Sequence, residues 1–76
     1  MKKTLDLYVV SITHSSGDTL TDLFQDKTEA TQAFLKLCAM NGAEFKNAIV
    51  RHDDYLQIAV GKSKASTIKM SVYEIR

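Results

Sequence analysis

The chain of 76 residues contains one cysteine, three glycines, and no proline or tryptophan. A single cysteine can form neither an internal disulfide nor a cysteine-rich zinc site, which excludes a disulfide-stapled secreted mini-protein. Gly17, Gly42 and Gly61 are too dispersed to form a phosphate-binding loop, and no Walker or dinucleotide fingerprint occurs. Ten basic against nine acidic residues give a net charge of +1, so the total charge indicates no class of partner.

Length and composition predict one globular domain covering residues 1–76. Hydrophobic residues make up 45% of the chain and charged residues 25%, which is ordinary for a folded domain and argues against disorder. A core this small rarely supplies more than roughly 3–5 kcal/mol of net stability. The chain must therefore pack one face very well, oligomerise or depend on a partner.

No apolar stretch approaches the ~18 residues that a membrane-spanning helix needs. Residues 1–4 have the basic character of a signal-peptide start, but Asp6 interrupts the next stretch and no small-residue cleavage site follows. We therefore expect a cytoplasmic protein.

The first half of the chain begins with a predicted β-hairpin. Residues 5–13 are rich in β-branched and aromatic side chains and are apolar at both odd and even positions. A strand of this kind is usually central in its sheet or carries a bulge. Residues 15–18 have turn chemistry with Gly17, and residues 19–24 predict the second strand.

A helix of about fifteen residues is predicted next. Asp26 and Glu29 have the spacing of a capping box, with Asp26 as the N-cap. Asn41 and Gly42 predict its end, because glycine accepts the left-handed conformation that follows many helices. The apolar side chains lie on one helical stripe, which consists of Ala30, Ala33, Phe34, Leu37 and Cys38.

Three further strands are predicted, at residues 44–52, 55–60 and 66–75. Residues 53 and 54 suggest a tight turn, and residues 61–65 suggest a flexible basic loop. In the middle strand, Leu56, Ile58 and Val60 alternate and are expected to point inward. The fold class is therefore α+β: an antiparallel sheet of four to five strands in the order β-β-α-β-β-β, with one helix on one face.

Because one helix covers only one face of a sheet, the opposite face is the surface of interest. This face is either a solvated surface with scattered aromatic residues or a contact surface for a second copy or another protein, since tyrosine is enriched at interface centres. The strand pattern assigns to it Tyr8, Tyr55, Tyr73, Gln57 and Lys69, with Ile75 near the end.

No catalytic constellation is predicted, and we expect a protein without enzymatic activity, metal or cofactor. His14 neighbours serines and Asp18 within one turn, whereas catalytic triads are assembled from separated segments. Residues 52–54 (His-Asp-Asp) suggest turn chemistry, because three consecutive residues do not normally converge on one metal ion. Cys38 lies on the apolar helix stripe and is predicted to be a core residue. A catalytic role for Cys38 or His14 is the least favoured alternative.

Charge is distributed unevenly along the chain. Residues 1–38 contain four basic and five acidic residues, and residues 39–76 contain six basic and four acidic residues. Lysines and an arginine near two tyrosines suggest an alternative function, an RNA- or single-stranded-DNA-binding domain. A pI of about 7.9 is low for a dedicated nucleic-acid binder. The residues concerned are Arg51, Lys62, Lys64 and Lys69, with Tyr55 and Tyr73.

The plan of a hairpin, one capped helix at residues 26–34 and onward, and an antiparallel meander resembles the small α+β proteins of phages and mobile elements, including anti-CRISPR proteins. This resemblance covers the whole chain and implies a non-enzymatic inhibitor that blocks a protein or nucleoprotein complex sterically in the host cytoplasm, as a monomer or homodimer. It transfers no functional residue, since no motif is shared. We expect the tyrosines Tyr8, Tyr55 and Tyr73 to anchor the partner, with Arg51, Lys62, Lys64 and Lys69 steering it.

Overall fold

A computed structural model describes residues 5–75 of the chain, and the side chains of residues 6–74. The basic start at residues 1–4 and the side chain of Ile75 lie outside this description. The predicted α+β fold with the order β-β-α-β-β-β is confirmed. Its elements are β1 (Leu5–His14), β2 (Thr19–Phe24), α1 (Lys27–Met40), β3 (Glu44–Arg51), β4 (Leu56–Lys62) and β5 (Ser66–Ile75).

All five strands form one antiparallel sheet in the order β2-β1-β5-β4-β3. The short connections explain why β1 pairs with β2, β3 with β4 and β4 with β5. The pairing of β1 with β5 instead brings together the first and the last strand. This pairing runs in unbroken register from Leu5 and Ile75 to His14 and Ser66. Of the two alternatives for β1, a central position or a bulge, the structure shows the first: β1 lies between β2 and β5 without a register shift, which explains why it is apolar at both parities.

The connectivity sets the direction of α1. The helix joins β2 to β3, the two edge strands, so it must cross the whole sheet. Five strands about 4.8 Å apart span roughly 19 Å, and the 14 residues of α1 extend about 21 Å at 1.5 Å per residue. The helix starts beside Phe24, which pairs with Tyr8, and ends with Cys38 over Gly61. It therefore runs diagonally and leaves the corner of this face near Leu56 and Arg51 uncovered.

Both predicted ends of α1 are confirmed. The Asp26 carboxylate accepts a hydrogen bond from the Thr28 backbone N–H at 3.0 Å, so Asp26 is the N-cap. Glu29, the other member of the predicted capping box, is exposed. At the other end the helix stops before Asn41, and Gly42 has a φ of +63°, the left-handed conformation that glycine adopts without strain.

The core lies between α1 and the sheet. Ala30, Phe34 and Cys38 of the predicted apolar stripe are buried, and Ile68 and Phe34 are among the largest fully buried side chains. Phe34 also packs edge-on against Phe45 with ring centroids 5.9 Å apart. The sheet contributes five residues to the same cluster: Val10, Ile12, Ala59, Ile68 and Met70.

A β-bulge in β4 makes one part of the predicted alternation wrong. Gln57 pairs with Ser71 and Ala59 with Met70, so Ile58 is an extra residue without its own partner on β5. A single extra residue reverses the side-chain parity beyond it. Ala59 therefore faces the helix, whereas Val60, predicted to point inward, lies on the other face.

The predicted flexible loop at residues 61–65 is also shorter than expected. Gly61 and Lys62 belong to β4, and only residues 63–65 connect it to β5. Gly61 is buried under the helix. A Cβ atom at this position would lie only 2.6 Å from the Cys38 Sγ atom, so no larger residue fits without a shift. The glycine thus permits the close approach of α1 to β4.

Candidate functional site

We define the open face as the side of the sheet that points away from α1. Side chains of directly paired residues point to the same side of a sheet, so the strand register identifies its members. Two rows of this face cross all five strands. One row is Leu23, Val9, Ser71, Gln57 and Val50, and the other is Thr21, Ser11, Lys69, Val60 and Lys46.

One half of the open face is apolar. Leu23 and Val50, at opposite edges of the sheet, are 62% and 45% exposed. Between them Val9 and Leu7 are half-buried, and Leu7 pairs with Tyr73. In the row that joins these two edges, the buried Ser71 and the half-buried Gln57 lie between Val9 and Val50, so two polar residues interrupt the apolar side chains on β5 and β4. We call this surface the apolar band, and its residues are Leu7, Val9, Leu23, Val50, Tyr55 and Tyr73.

Two of the three predicted tyrosines lie in a stack of aromatic rings at one end of this band. The Tyr55 and Tyr73 ring centroids are 4.9 Å apart with an interplanar angle of 27°, and His52 stacks on Tyr55 at 4.4 Å and 18°. The middle ring, Tyr55, therefore has both of its faces covered by neighbours. This stack fixes the tyrosine orientations without a partner, which lowers the entropy lost on binding.

The other half of the open face is basic. Lys46, Val60 and Lys69 lie side by side in register on β3, β4 and β5. Lys62 lies in the next row, between Glu44 and Thr67. All three lysines are exposed. We call Lys46, Lys62 and Lys69 the lysine cluster.

The structure separates the seven residues that the sequence predicted for partner binding. Tyr73, Lys62 and Lys69 lie on the open face, and Tyr55 lies at its end. Lys64 lies in the β4–β5 turn and lines a small surface depression with His14 and Ser66. Lys46 was missed, because its place beside Lys69 depends on the bulge in β4.

Tyr8 does not lie on the open face, contrary to the prediction, and Arg51, predicted to steer the partner, lies on the helix side as well. Tyr8 has the same parity as Val10 and Ile12 and packs against the core cluster on the helix side. Arg51 pairs with Leu56, which continues the row of Tyr8 and Val72 on that same side. The tyrosine was misplaced because β1 is apolar at both parities, so the sequence did not show which parity the helix covers.

Tyr8 and Arg51 instead line a cleft in the corner that the diagonal helix leaves uncovered. This cleft has a volume of about 580 Å³. Half-buried apolar side chains form its floor and charged side chains surround it. The lining residues include Tyr8, Leu56, Ile58 and Val72, with Asp6, Lys27, Arg51, Asp53, Asp54 and Glu74 at the charged positions.

The side chain of His14 contacts a residue that is distant in sequence, not the serines and the aspartate that follow it. Its Nδ1 atom lies 2.9 Å from the Oγ atom of Ser66, and the Ser15 N–H donates to the Ala65 carbonyl at 2.7 Å. These contacts tie the β1–β2 turn to the β4–β5 turn. The Ser66 hydroxyl is on a residue only 6% exposed, so the pair holds the two turns together rather than presenting a nucleophile to solvent.

Cys38 is a core residue, as predicted. It is 2% exposed, and burial raises the pKa of its thiol by disfavouring the charged form. Since the thiolate is the reactive species, this thiol is poorly suited to nucleophilic attack. Within residues 5–75, no three His, Cys, Asp or Glu side chains lie close enough together to hold a metal ion. His52, predicted to belong to turn chemistry with Asp53, stacks on Tyr55.

Among the helices of the described residues, none is both long and apolar enough to cross a membrane. Comparisons of the chain with protein-family models, with curated proteins and with solved structures found no match.

Proposed function

We propose that this protein is a small non-enzymatic interaction module that binds another protein through the open face of its sheet. The observation that supports this most directly is the apolar band, whose edge residues Leu23 and Val50 are 62% and 45% exposed. Large apolar side chains exposed together on one face of a small domain mark interaction sites.

The aromatic residues of the band add to this argument. Tyr55 and Tyr73 stack on each other and are half-buried, so each presents a rigid ring edge and a hydroxyl group. Tyrosine contributes large contact areas at low entropic cost and is enriched among residues that dominate binding energy. The apolar band thus has both features of an interface centre: exposed aliphatic surface and fixed aromatic anchors.

The proposed mechanism is steric occlusion. The partner is a protein or nucleoprotein complex in the cytoplasm, whose working surface is covered when the sheet docks on it. An inhibitor of the phage type acts in this way, and it needs no catalytic group of its own. Lys62 and Lys69, on the other half of the same face, would orient an acidic partner before contact.

The test compares baits that differ only on the open face. The full chain carrying an affinity tag is used to capture proteins from cells that naturally contain it, and bound proteins are identified by mass spectrometry. We expect Tyr55→Ala combined with Tyr73→Ala, and separately Leu23→Ser, to lose the captured partner, because each removes area from the apolar band.

Lys36→Ala is the matched control, since Lys36 is exposed on α1 and points away from the sheet. It should capture the same partner as the unmodified chain. Equal capture by the Tyr55/Tyr73 double variant and the unmodified chain would exclude this face. Sizing of the purified chain distinguishes a homodimer from a heterologous partner: a dimer disrupted by Leu23→Ser would identify a second copy as the occupant.

A further inference from the structure

We infer that the lysine cluster of Lys46, Lys62 and Lys69 binds the phosphodiester backbone of a nucleic acid, without reading its base sequence. This inference concerns different residues from the apolar band. It goes beyond protein binding through that band, and because the band and the lysine cluster share no residue, variants of one test it separately from the other.

The arrangement of the three lysines supports this inference. Lys46 and Lys69 flank Val60 in one row, so their Cα atoms are separated by two interstrand spacings, roughly 10 Å. Lys62 lies two residues along β4 from Val60 and completes a triangle. All three side chains are exposed, and Glu44 is the one carboxylate that the register places in these rows within residues 5–75.

The row that contains Lys62 also provides neutral hydrogen-bond donors. Thr13 pairs with Thr19 on one side and with Thr67 on the other, and Thr67 pairs with Lys62. Hydroxyl groups beside cations are typical contacts to phosphate oxygens, which position a protein on nucleic acid but carry no sequence information. A flat array of cations with hydroxyl groups along one margin matches a chain with regularly repeated negative charge.

The aromatic stack leaves its middle ring, Tyr55, without a free face for a base. Sequence-tolerant binders of single strands stack successive bases on exposed aromatic ring faces. Here the Tyr55 ring is covered on both sides, by His52 and Tyr73. The lysine cluster and Val60 contain no aromatic ring, so binding through the cluster should be electrostatic and independent of base identity.

Salt dependence provides a quantitative test. The full chain is titrated against a fluorescein-labelled oligouridylate, and affinity is measured by fluorescence anisotropy at several potassium chloride concentrations. Three phosphate contacts on a single strand predict a slope of log affinity against log salt of about −2, because each contact releases condensed counterions with a slope near −0.7. An oligoadenylate of equal length should give the same slope.

Single substitutions then assign the contacts to residues. Lys46→Gln and Lys69→Gln should each make the slope shallower by about 0.7, and the triple glutamine variant should bind without salt dependence. Lys36→Gln is the control with equal loss of charge, because Lys36 is exposed on α1, on the opposite side. Its slope should equal that of the unmodified chain.

Two further arms separate the sources of negative charge. A duplex DNA of the same length shows whether a single or a double strand binds more tightly. Polyglutamate of matched charge competes with the labelled RNA. Competition by polyglutamate as strong as that by unlabelled RNA would overturn the inference in favour of an acidic protein.

Absence of salt-sensitive binding to either nucleic acid, or an equal effect of Lys36→Gln and Lys69→Gln, would also overturn it. The Tyr55/Tyr73 double variant should retain the full slope. A loss of RNA binding in that variant would mean that the two halves of the open face do not act separately.

Discussion

The two faces of the sheet are built from the same five strands, but only one of them is covered by the helix. On the helix side, Ala59 and Gly61 lie under α1, and the small side chains allow the helix to pack closely. On the open face the neighbouring position, Val60, lies between two lysines. The difference shows that adjacent residues of one strand have separate surroundings: Ala59 and Gly61 are packed beneath the helix, and Val60 lies on the face that we propose for binding.

The separation has a physical origin in the single helix. Fourteen residues of α1 are enough to cross the sheet once, so the helix covers one face but not the corner near Leu56 and Arg51. Most of the burial that stabilises so small a domain must then occur beneath α1. We expect substitutions on the two faces to have effects of very different size.

The largest difference is expected between two consecutive residues of β5. Ile68 is fully buried beneath α1, whereas Lys69 is exposed on the open face. Ile68→Ala should lower the free energy of unfolding by about 2–5 kcal/mol, because it removes buried methyl groups and leaves a cavity. Lys69→Ala should change it by less than about 0.5 kcal/mol. Urea denaturation followed by circular dichroism measures the change for Lys69→Ala and shows whether Ile68→Ala retains a folded baseline.

A loss of this size approaches the whole stability expected of the domain, so the Ile68→Ala protein should be largely unfolded without denaturant. If Lys69→Ala were as destabilising as Ile68→Ala, the open face would not be a free surface. The milder Ile68→Val should remain folded and lose about 0.5–1.5 kcal/mol, which keeps the comparison measurable.

Local sequence signals were sufficient for most of the fold. The Thr19–Phe24 strand and the Asp26 cap depend on propensity and short-range hydrogen bonds, and both were predicted. The pairing of β1 with β5 was not predicted, because it joins residues about sixty positions apart and no turn specifies it. The order of the strands is a property of the packed sheet rather than of any one segment.

The candidate site was harder to predict than the fold. A face assignment depends on an unbroken alternation along each strand, and the extra residue Ile58 breaks it in β4. This one bulge moves Val60 to the open face, where it separates Lys46 from Lys69. In β1, both parities are apolar, so the placement of Tyr8 depended on which side the helix covers, which the sequence did not reveal.

The second prediction concerns the closest contact on the helix side. Gly61→Ala should destabilise the protein by about 1–3 kcal/mol, because the added methyl group would overlap the Cys38 Sγ atom. Removing that sulfur with Cys38→Ala creates room, so the cost of Gly61→Ala should fall in the Cys38→Ala background. A double-mutant cycle from urea denaturation measures this coupling, expected to be about 0.5–3 kcal/mol. Strictly additive effects would show that α1 does not constrain position 61.

The smallest effect is expected at the N-cap, where the covered face begins. Asp26→Ala should cost about 1 kcal/mol, since the Thr28 N–H loses the acceptor it has at 3.0 Å. Gln25→Ala, at the exposed position just before the cap, should change stability by less than about 0.5 kcal/mol. Urea denaturation measures both variants, and equal losses would exclude the capping role.

Amide hydrogen exchange adds a local measurement for Asp26→Ala. Exchange should accelerate in the first turn of α1 and stay unchanged in β4 and β5, because fraying of one helix end leaves the sheet paired. If exchange in the sheet also accelerated, the cap would stabilise both faces together, and the separation of their roles would not hold.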